Sequence, residues 1–408
     1  NYANISVRIN DEFMKAVEND GDYILHWPCG NKELDNIDIP ISTEWEYNTL
    51  YTIEDEKSII YVKKIKAKPL FEKLAKNNWA YAEPGILYWD RITNYNMLSN
   101  NEEFEYGGVN PCAEEPLPAG GSCLLGSLNL SEFVKNPFTE KAFIDFNELT
   151  ANVTVAVEAL NDVLMEGMLL HPLSEQRENV NEWRQIGLGT MGLADMLIKL
   201  GIKYGSEESL KIIEDVYKTI AITSVYSSSS IASERGSYPK FDKKLFDSEF
   251  IKHIFNKSDT EMPTKKMMAN SQLLTCAPTG SIATMLGIST GVEPIYAMSY
   301  NRTTKSLNNK DTVYKVYTPI AEEYLKEHET LPDYFVESAQ IDPMDRIKVQ
   351  AKLQEFTDAA ISSTINLPKE TTVENIYDIY MEAWKHGLKG VTVFRSGCSR
   401  QAILSTEE

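Results

Sequence analysis

The stretch Asn110–Leu130, NPCAEEPLPAGGSCLLGSLNL, limits what this chain can fold into more than any other. Pro116 and Pro118 forbid a helix, because proline lacks an N–H and its ring collides with the preceding turn. Gly120–Gly121 adds a sharp bend. Asn110, Cys112 and Glu114 occupy alternate positions, and alternate side chains of an extended segment share a face. The sequence therefore predicts a rigid, non-repetitive loop that projects an amide, a thiol and a carboxyl into one space. Cys123 follows on a run that reads as a buried strand. Residue type alone leaves a second reading open, since a lone cysteine in a loop is more often a small buried apolar group than a reactive one.

Around this loop, short strands alternate with helices. Ile5–Ile9, Ile86–Trp89, Leu273–Ala277, Thr364–Leu367 and Gly390–Phe394 read as strands. Helical periodicity runs over Asp11–Asn19 and Pro69–Asn78. A helix capped by Asp145 lines Leu149, Val153, Val157, Leu160 and Leu164 along one face. Others start at Ser206, ending at Gly236, and at Asp342–Pro343. The last starts at a Thr371…Glu374 capping box and runs to His386, where Gly387 stops it. Alternating strands and helices imply a parallel α/β architecture. Ile59–Ile65 reads as an edge hairpin strand. Arg184–Gly205 reads as an apolar helix, with Gly187, Gly189 and Gly192 serving close packing rather than a dinucleotide. Ser227–Ser230 reads as a small-residue packing face. Tyr238–Asn270 reads as a surface excursion, Asn301–Leu331 as a polar periphery, and Trp27–Asn48 as a polar connection carrying Cys29. No linker or repeat interrupts residues 1–408, which read as a single domain.

Composition excludes several functions. A net charge of −20 argues against a nucleic-acid groove or an anionic membrane surface, both of which need basic patches. It leaves room for a small anionic substrate held by backbone amides. No apolar run approaches the length of a membrane span. Five cysteines, Cys29, Cys112, Cys123, Cys276 and Cys398, form no CxxC or Cys/His cluster, so no metal site is expected. Their odd number suits a reducing cytoplasm. The chain starts without Met on a strand-like run, and reads as a fragment. Ala277, Pro278, Thr279, Gly280, Ser281 and Ile282 form a turn after a strand and before a short apolar run. Such a turn offers N–H groups and hydroxyls to a phosphate, although on its own it is more often a plain strand–helix connection. It is no Walker A motif, as no Lys follows.

The Asn110–Leu130 stretch closely resembles the finger loop of ribonucleotide reductases. The likeness extends from about Asn4 to Arg400, includes the phrase GLGTMGLADML, and is greatest to the adenosylcobalamin-dependent class. It implies part of a ten-stranded α/β barrel with the finger loop, 110–130, threading its centre. Cys112 would be the thiyl radical that abstracts the ribose 3′-hydrogen, Glu114 the general base on the 3′-hydroxyl, and Asn110 the holder of the substrate hydroxyls. Cys123 would be one of two thiols that reduce the 2′ position, approaching Cys112 across the Gly120–Gly121 bend. The loop 277–282 would bind the phosphates of a ribonucleoside diphosphate. Gly291–Pro294 and Tyr300–Arg302 continue the match and read as scaffold. Val393 and Phe394 stand where the metallosubunit-dependent class carries two adjacent tyrosines, which favours adenosylcobalamin as cofactor. An external dithiol such as thioredoxin would be the reductant. The family's other reducing cysteine, its N-terminal allosteric region and its C-terminal CxxC tail have no counterpart in the 408 residues. The resemblance therefore implies an N-terminal reductase polypeptide as partner, or self-association into a homo-oligomer without it, and no turnover by this chain alone. The alternatives are the large subunit of a metallosubunit-dependent reductase and a non-catalytic nucleotide-binding remnant.

Overall fold

The computed structural model describes residues 4–27, 51–55, 58–305 and 311–399; the 28–50 connection with Cys29 lies outside them. β1 (Ser6–Ile9) leads into α1 (Asp11–Glu18), which is capped by Asn10 and buries Phe13, Met14 and Val17. β2 (Asp22–Trp27), β3 (Tyr51–Asp55) and β4 (Ser58–Lys66) form an antiparallel sheet with β4 in the middle. The edge assignment for 59–65 is thus corrected. Alternation reports how many faces are buried, not how many neighbours a strand has. α2 (Ala67–Tyr81), β5 (Gly85–Tyr88) and α3 (Trp89–Asn94) follow.

β6 (Gly108–Val109) and β7 (Pro116–Leu117) pair antiparallel and close the finger loop into a hairpin. β8 (Leu125–Asn129) comes next, then the short ladder of β9 (Val134–Lys135) with β10 (Phe143–Ile144). α4 (Phe146–Gly167) is capped by Asp145 and buries its five aliphatic residues as expected. α5 (Ser174–Trp183) leads to β11 (Gly187–Met191) and α6 (Leu193–Lys199). Here the sequence reading fails in part, since Gly187 and Gly189 lie in a strand and Gly192 alone opens a helix, as the N-cap of α6. Every residue of β11 is buried, and a strand buried on both faces is a continuous apolar run that periodicity cannot tell from a buried helix.

α7 (Glu207–Arg235) runs from its Ser206 cap to Gly236. Its serines do more than pack closely, because Ser228 Oγ donates to Asn270 Oδ1 and accepts from the Ala269 and Asn270 amides. α8 (Glu249–Asn256) buries Phe250, Ile251, Ile254 and Phe255, and Tyr238, Phe246 and Met268 join the same core. The 238–270 segment is therefore core rather than a surface excursion; its one short helix gives too little repeat to read. α9 (Gly280–Leu286) precedes the hairpin of β12 (Ser299–Lys305) and β13 (Asp311–Tyr317). α10 (Pro319–Leu325) buries Ile320, Ala321 and Tyr324, so 301–331 is not all periphery. α11 (Pro343–Gln354), β14 (Thr364–Leu367), α12 (Val373–Lys385) and β15 (Gly390–Arg395) complete the chain. The capping box of α12 is Thr372 with Asn375, one residue later than expected.

These strands form one continuous arc. β1, β5, β15 and β14 pair in that order. The strand of β14 is entered from Ile361, which bridges in parallel to Cys276; Leu274 bridges in parallel to Leu188 of β11, and β11 pairs in parallel with β8. Only the step from β5 to β15 is antiparallel. The result is part of an α/β barrel. Its two faces follow from the strand repeat. Thr190 bonds Tyr217 of α7, and Cys276 lies 3.9 Å from the same hydroxyl, so this face meets the helices. Gly187, Gly189 and Thr275 face the other way, toward the finger loop. Among the described residues no helix is long and apolar enough to cross a membrane.

Ion pairs, one built on the buried Arg346 and one half-exposed at Glu355, tie the helices to the arc. Arg346 of α11 bonds Glu293, the Tyr204 hydroxyl at 2.6 Å, Ser363 Oγ at 2.8 Å and the Thr364 carbonyl at 3.1 Å. Glu355, just past α11, lies 3.3 Å from His253 Nε2 and 3.0 Å from Lys352 Nζ. Burial raises the Glu355 carboxyl, but hydrogen bonds and charge from His253 and Lys352 outweigh it and hold it at about 2, against an ordinary 4.5. A carboxyl depressed in the folded state stabilises above its unfolded pKa, and that contribution disappears as pH falls through its folded value. Thermal midpoints measured down the acid limb, from 4.5 toward 2, should therefore fall less steeply for Glu355→Gln than for the native chain.

Candidate active site at the 110–123 loop

The β6–β7 ladder pairs Val109 with Pro116, leaving Asn110–Glu115 as the hairpin tip. The Asn110 amide donates to the Glu115 carbonyl (3.0 Å), and the Glu115 amide donates back to Asn110 Oδ1 (3.0 Å). The Ala113 amide donates to the Asn110 carbonyl (2.9 Å), with Ala113 at φ 66°. The tip is therefore a tight turn, and the expected extended segment is not formed. Asn110 still stands beside the acids, because it is bonded to Glu115 in both directions across the tip and its side chain lowers the pKa of the Glu114 carboxyl. Cys112 sits at the crest, exposed to solvent.

The tip is fastened to two strands of the arc. The Glu114 carbonyl accepts from the Ala360 amide (2.9 Å) and from Thr275 Oγ1 (2.8 Å). The Glu114 side chain is buried, and its Oε2 has no partner among the described residues. Burial raises its pKa, partly offset by hydrogen bonds from its own backbone and Asn110. Glu115 is buried as well, accepting from Gln272 Nε2 at 2.6 Å. Gln272 Oε1 in turn accepts from Gln185 Nε2 at 3.1 Å. Burial pushes the Glu115 carboxyl well above the ordinary carboxylate range; the Gln272 bond opposes this, and the nearby Glu114 and Asp358 charges add to it.

Past the tip, Gly120 at φ 72° and the Gly121-to-Pro118 turn (3.0 Å) bend the chain back as expected. Asn179 of α5 holds the bend by donating to the Ala119 carbonyl at 3.1 Å. Cys123 is exposed and precedes β8, which is itself only half-buried. The buried-strand reading of this run is thus corrected; β8 ends the arc and has a pairing partner on one side among the described residues. Burial raises the Cys112 thiol, with Glu114 adding to it. The Cys123 thiol is pushed up to about 12, by its partial burial first and then by the Glu115, Glu114 and Cys112 charges. Both cysteines are therefore S–H groups rather than thiolates at neutral pH.

Strand 272–277 continues from Thr275, through buried Cys276 and Ala277, into the 277–282 turn. Thr279, at φ 52°, precedes α9, and its Oγ1 accepts from the Gly291 amide at 2.7 Å. That bond joins the turn to the 291–294 segment, whose Glu293 pairs with Arg346. Gly280, Ser281 and Ile282 are exposed, and their amides have no carbonyl partner among the described residues. Gly280 lies five residues beyond Thr275, which touches Glu114, a chain reach of at most about 18 Å.

Sequence reasoning missed the support beneath the tip. Asp358 accepts from the Leu273 and Leu274 amides (3.0 and 2.7 Å), and Lys389 donates to the Asp358 and Ala359 carbonyls (2.6 and 2.7 Å). Burial pushes Lys389 down to about 7, with Asp358 opposing. Lys389 is an isolated residue before a strand and gives no sequence signal. Glu115 did give one, as the second of two adjacent acids.

Fold and loop together define a class, the α/β barrels that hold a cysteine-bearing hairpin against the face turned away from their helices. The chain belongs to the ribonucleotide reductase family, whose barrel domain matches residues 1–394. It is similar to the vitamin B12-dependent ribonucleoside-diphosphate reductase of Thermoplasma acidophilum, at 31% identity over 94% of this chain and 50% of that protein. The protein of the same name from Mycobacterium tuberculosis strain CDC 1551 / Oshkosh is 28% identical over 99% of this chain and 54% of its own length. The chain thus spans about half the length of these curated relatives. Among solved structures, the Actinobacillus ureae class Id ribonucleotide reductase alpha subunit shares the fold, with a TM-score of 0.61 at 18% identity, over 81% of this chain and 62% of that one.

Proposed function

We propose that this chain supplies the C-terminal portion of the catalytic barrel of an adenosylcobalamin-dependent ribonucleoside-diphosphate reductase. The observation that carries the reading is the hairpin tip, with an exposed thiol at its crest, a buried carboxyl with one unpartnered oxygen two residues on, and Asn110 held at its base by the Glu115 backbone. Cys112, as a thiyl radical, takes the 3′-hydrogen of the ribose. Glu114 accepts the 3′-hydroxyl proton, a task suited to a carboxyl whose pKa is raised by burial. Asn110 positions the hydroxyls. Cys123 and a second cysteine from an upstream polypeptide deliver two electrons: two S–H groups become one disulfide, and the 2′-hydroxyl leaves as water. An external dithiol of the thioredoxin type then restores the pair. The amides of Gly280, Ser281 and Ile282, with the Thr279 and Ser281 hydroxyls, are the proposed seat of the diphosphate.

Adenosylcobalamin, when bound, supplies the oxidising equivalent that makes the thiyl. An exposed sulfur at a loop crest fits a bulky radical source approaching from outside the loop. Val393 and Phe394 in β15 offer no phenol for a relay from a metallosubunit. No residue of this chain is assigned to the corrin.

The test is reduction of a ribonucleoside diphosphate by the 408-residue chain with adenosylcobalamin and a dithiol, with and without the upstream polypeptide. Multiple turnovers are expected only with both polypeptides. Turnover by the isolated chain would overturn the partner requirement. Activity with a metallosubunit but not with cobalamin would transfer the chain to the other class, and nucleotide binding without any reduction would make it a remnant.

A further inference from the structure

Two acids stand side by side in the tip, and the proposed chemistry uses only Glu114. We propose that Glu115 is a positioning residue that anchors the hairpin tip to the arc through the buried amides of Gln272 and Gln185, and so fixes where Asn110, Cys112 and Glu114 stand. This inference rests on the reductase reading of the tip.

The geometry is a chain of three links. Gln185 holds Gln272, Gln272 holds the Glu115 carboxyl, and the Glu115 backbone holds Asn110 in both directions, with Cys112 and Glu114 on the turn between them. Both glutamines are buried. The floor under the carboxyl is Gly187. A Cβ there would lie 2.7 Å from Thr275 Cγ2 and 2.9 Å from Leu125 Cδ2, and closer still to Glu115 Oε1. The missing side chain is therefore the space the carboxyl fills.

The groups that face Glu115 are Glu114, Asp358, Tyr106 and Cys123. None is a cation, and the buried Lys389 ammonium is taken by the Asp358 and Ala359 carbonyls. An ionised Glu115 would be an unpaired buried charge beside two other acids, which is costly. It therefore acts as a neutral acid, whose carbonyl oxygen accepts from Gln272. A neutral acceptor of the same shape should replace it.

The test is the pH profile of iodoacetamide alkylation at Cys112 in the full 408-residue chain, followed site by site by mass spectrometry. Glu115→Leu should raise the Cys112 rate at neutral pH several-fold, because a tip that has lost its buried hydrogen bond no longer holds the thiol beside the acid that keeps it protonated. It should also move the profile to lower pH as the thiol leaves Glu114. Glu115→Gln should restore the native profile. Gln272→Leu breaks the same link from the strand side and should reproduce the Glu115→Leu profile, which keeps the test intact if Glu115→Leu does not fold. A Glu115→Gln profile shifted as far as that of Glu115→Leu would overturn the proposal in favour of a charge effect. A native profile for both leucine variants would overturn it outright. Neither readout requires turnover, so failure of the anchor and failure of the reductase reading are told apart.

Discussion

Replacing Cys112 with serine should abolish ribonucleotide reduction by the assembled enzyme while leaving the fold in place. The side chain is at an exposed crest, and the turn beneath it is held by backbone bonds from Ala113 to Asn110 and between Asn110 and Glu115. Serine keeps all of these, so stability should change by no more than about 0.5 kcal/mol, as for other surface substitutions. What it removes is the sulfur. A thiol supports one-electron oxidation, whereas an aliphatic hydroxyl holds its hydrogen too strongly to exchange it with a sugar C–H. Turnover and the thermal midpoint of the same preparation decide the matter. Reduction that survives at a substantial rate would remove Cys112 from the chemistry.

Gly189→Ala should have the largest effect on stability. A Cβ at this position would sit far inside contact distance of the Thr275 carbonyl oxygen, with Thr275 C at 3.4 Å and Ala277 N at 3.6 Å. These are backbone atoms of the neighbouring strand, which cannot rotate away. β11 would have to part from strand 272–277, losing the bonds between Leu188 and Leu273 and between Thr275 and Leu188. Overpacking of this kind costs about 3 kcal/mol, and more where the backbone is the obstacle. Gly167, with nothing within 4 Å of its Cβ position, is the control. Alanine there, at the end of α4, should be neutral or stabilising by up to about 1 kcal/mol. The urea midpoint of Gly189→Ala should fall well below the native value and that of Gly167→Ala should not; coincident midpoints would mean that the strands can separate at little cost.

Elements with a local cause were legible in the sequence. The Asp145, Ser206 and Asp342 caps, the aliphatic face of α4 and the Gly387 stop depend on residues within a few positions of one another, and they lie where the pattern puts them. The errors share a different cause. β11 reads as a helix because its neighbours bury both faces and erase the alternation. Cys123 reads as buried because its apolar run lies at the end of the arc, which no local pattern reveals. At the candidate site, Asn110, Cys112 and Glu114 drew notice through their spacing, although the turn at Ala113 makes the extended-face argument wrong in detail. Thr275, Gln272, Asp358 and Lys389 stayed hidden, since each acts across 30 or more residues through a backbone carbonyl, a backbone amide or a single side-chain bond.

The sheet β1–β5–β15–β14 joins the beginning of the chain to its end. Trp384 bonds Asp11 across 373 positions, Tyr88 bonds the Tyr380 carbonyl across 292, and Asn78 bonds the Val393 carbonyl across 315. On a ribosome adding about 5 to 20 residues per second, β5 and the apolar face of α2 emerge roughly 15 to 60 s before the strand that covers them. During that interval Phe13, Phe71 and Ile86 face water or a chaperone, because the partners that bury them, Ile379, Tyr380 and Val391, are not yet made. Premature termination shortly before α12 would therefore leave not a trimmed barrel but a nascent chain with an open sheet edge and an uncovered apolar core around α1 and α2.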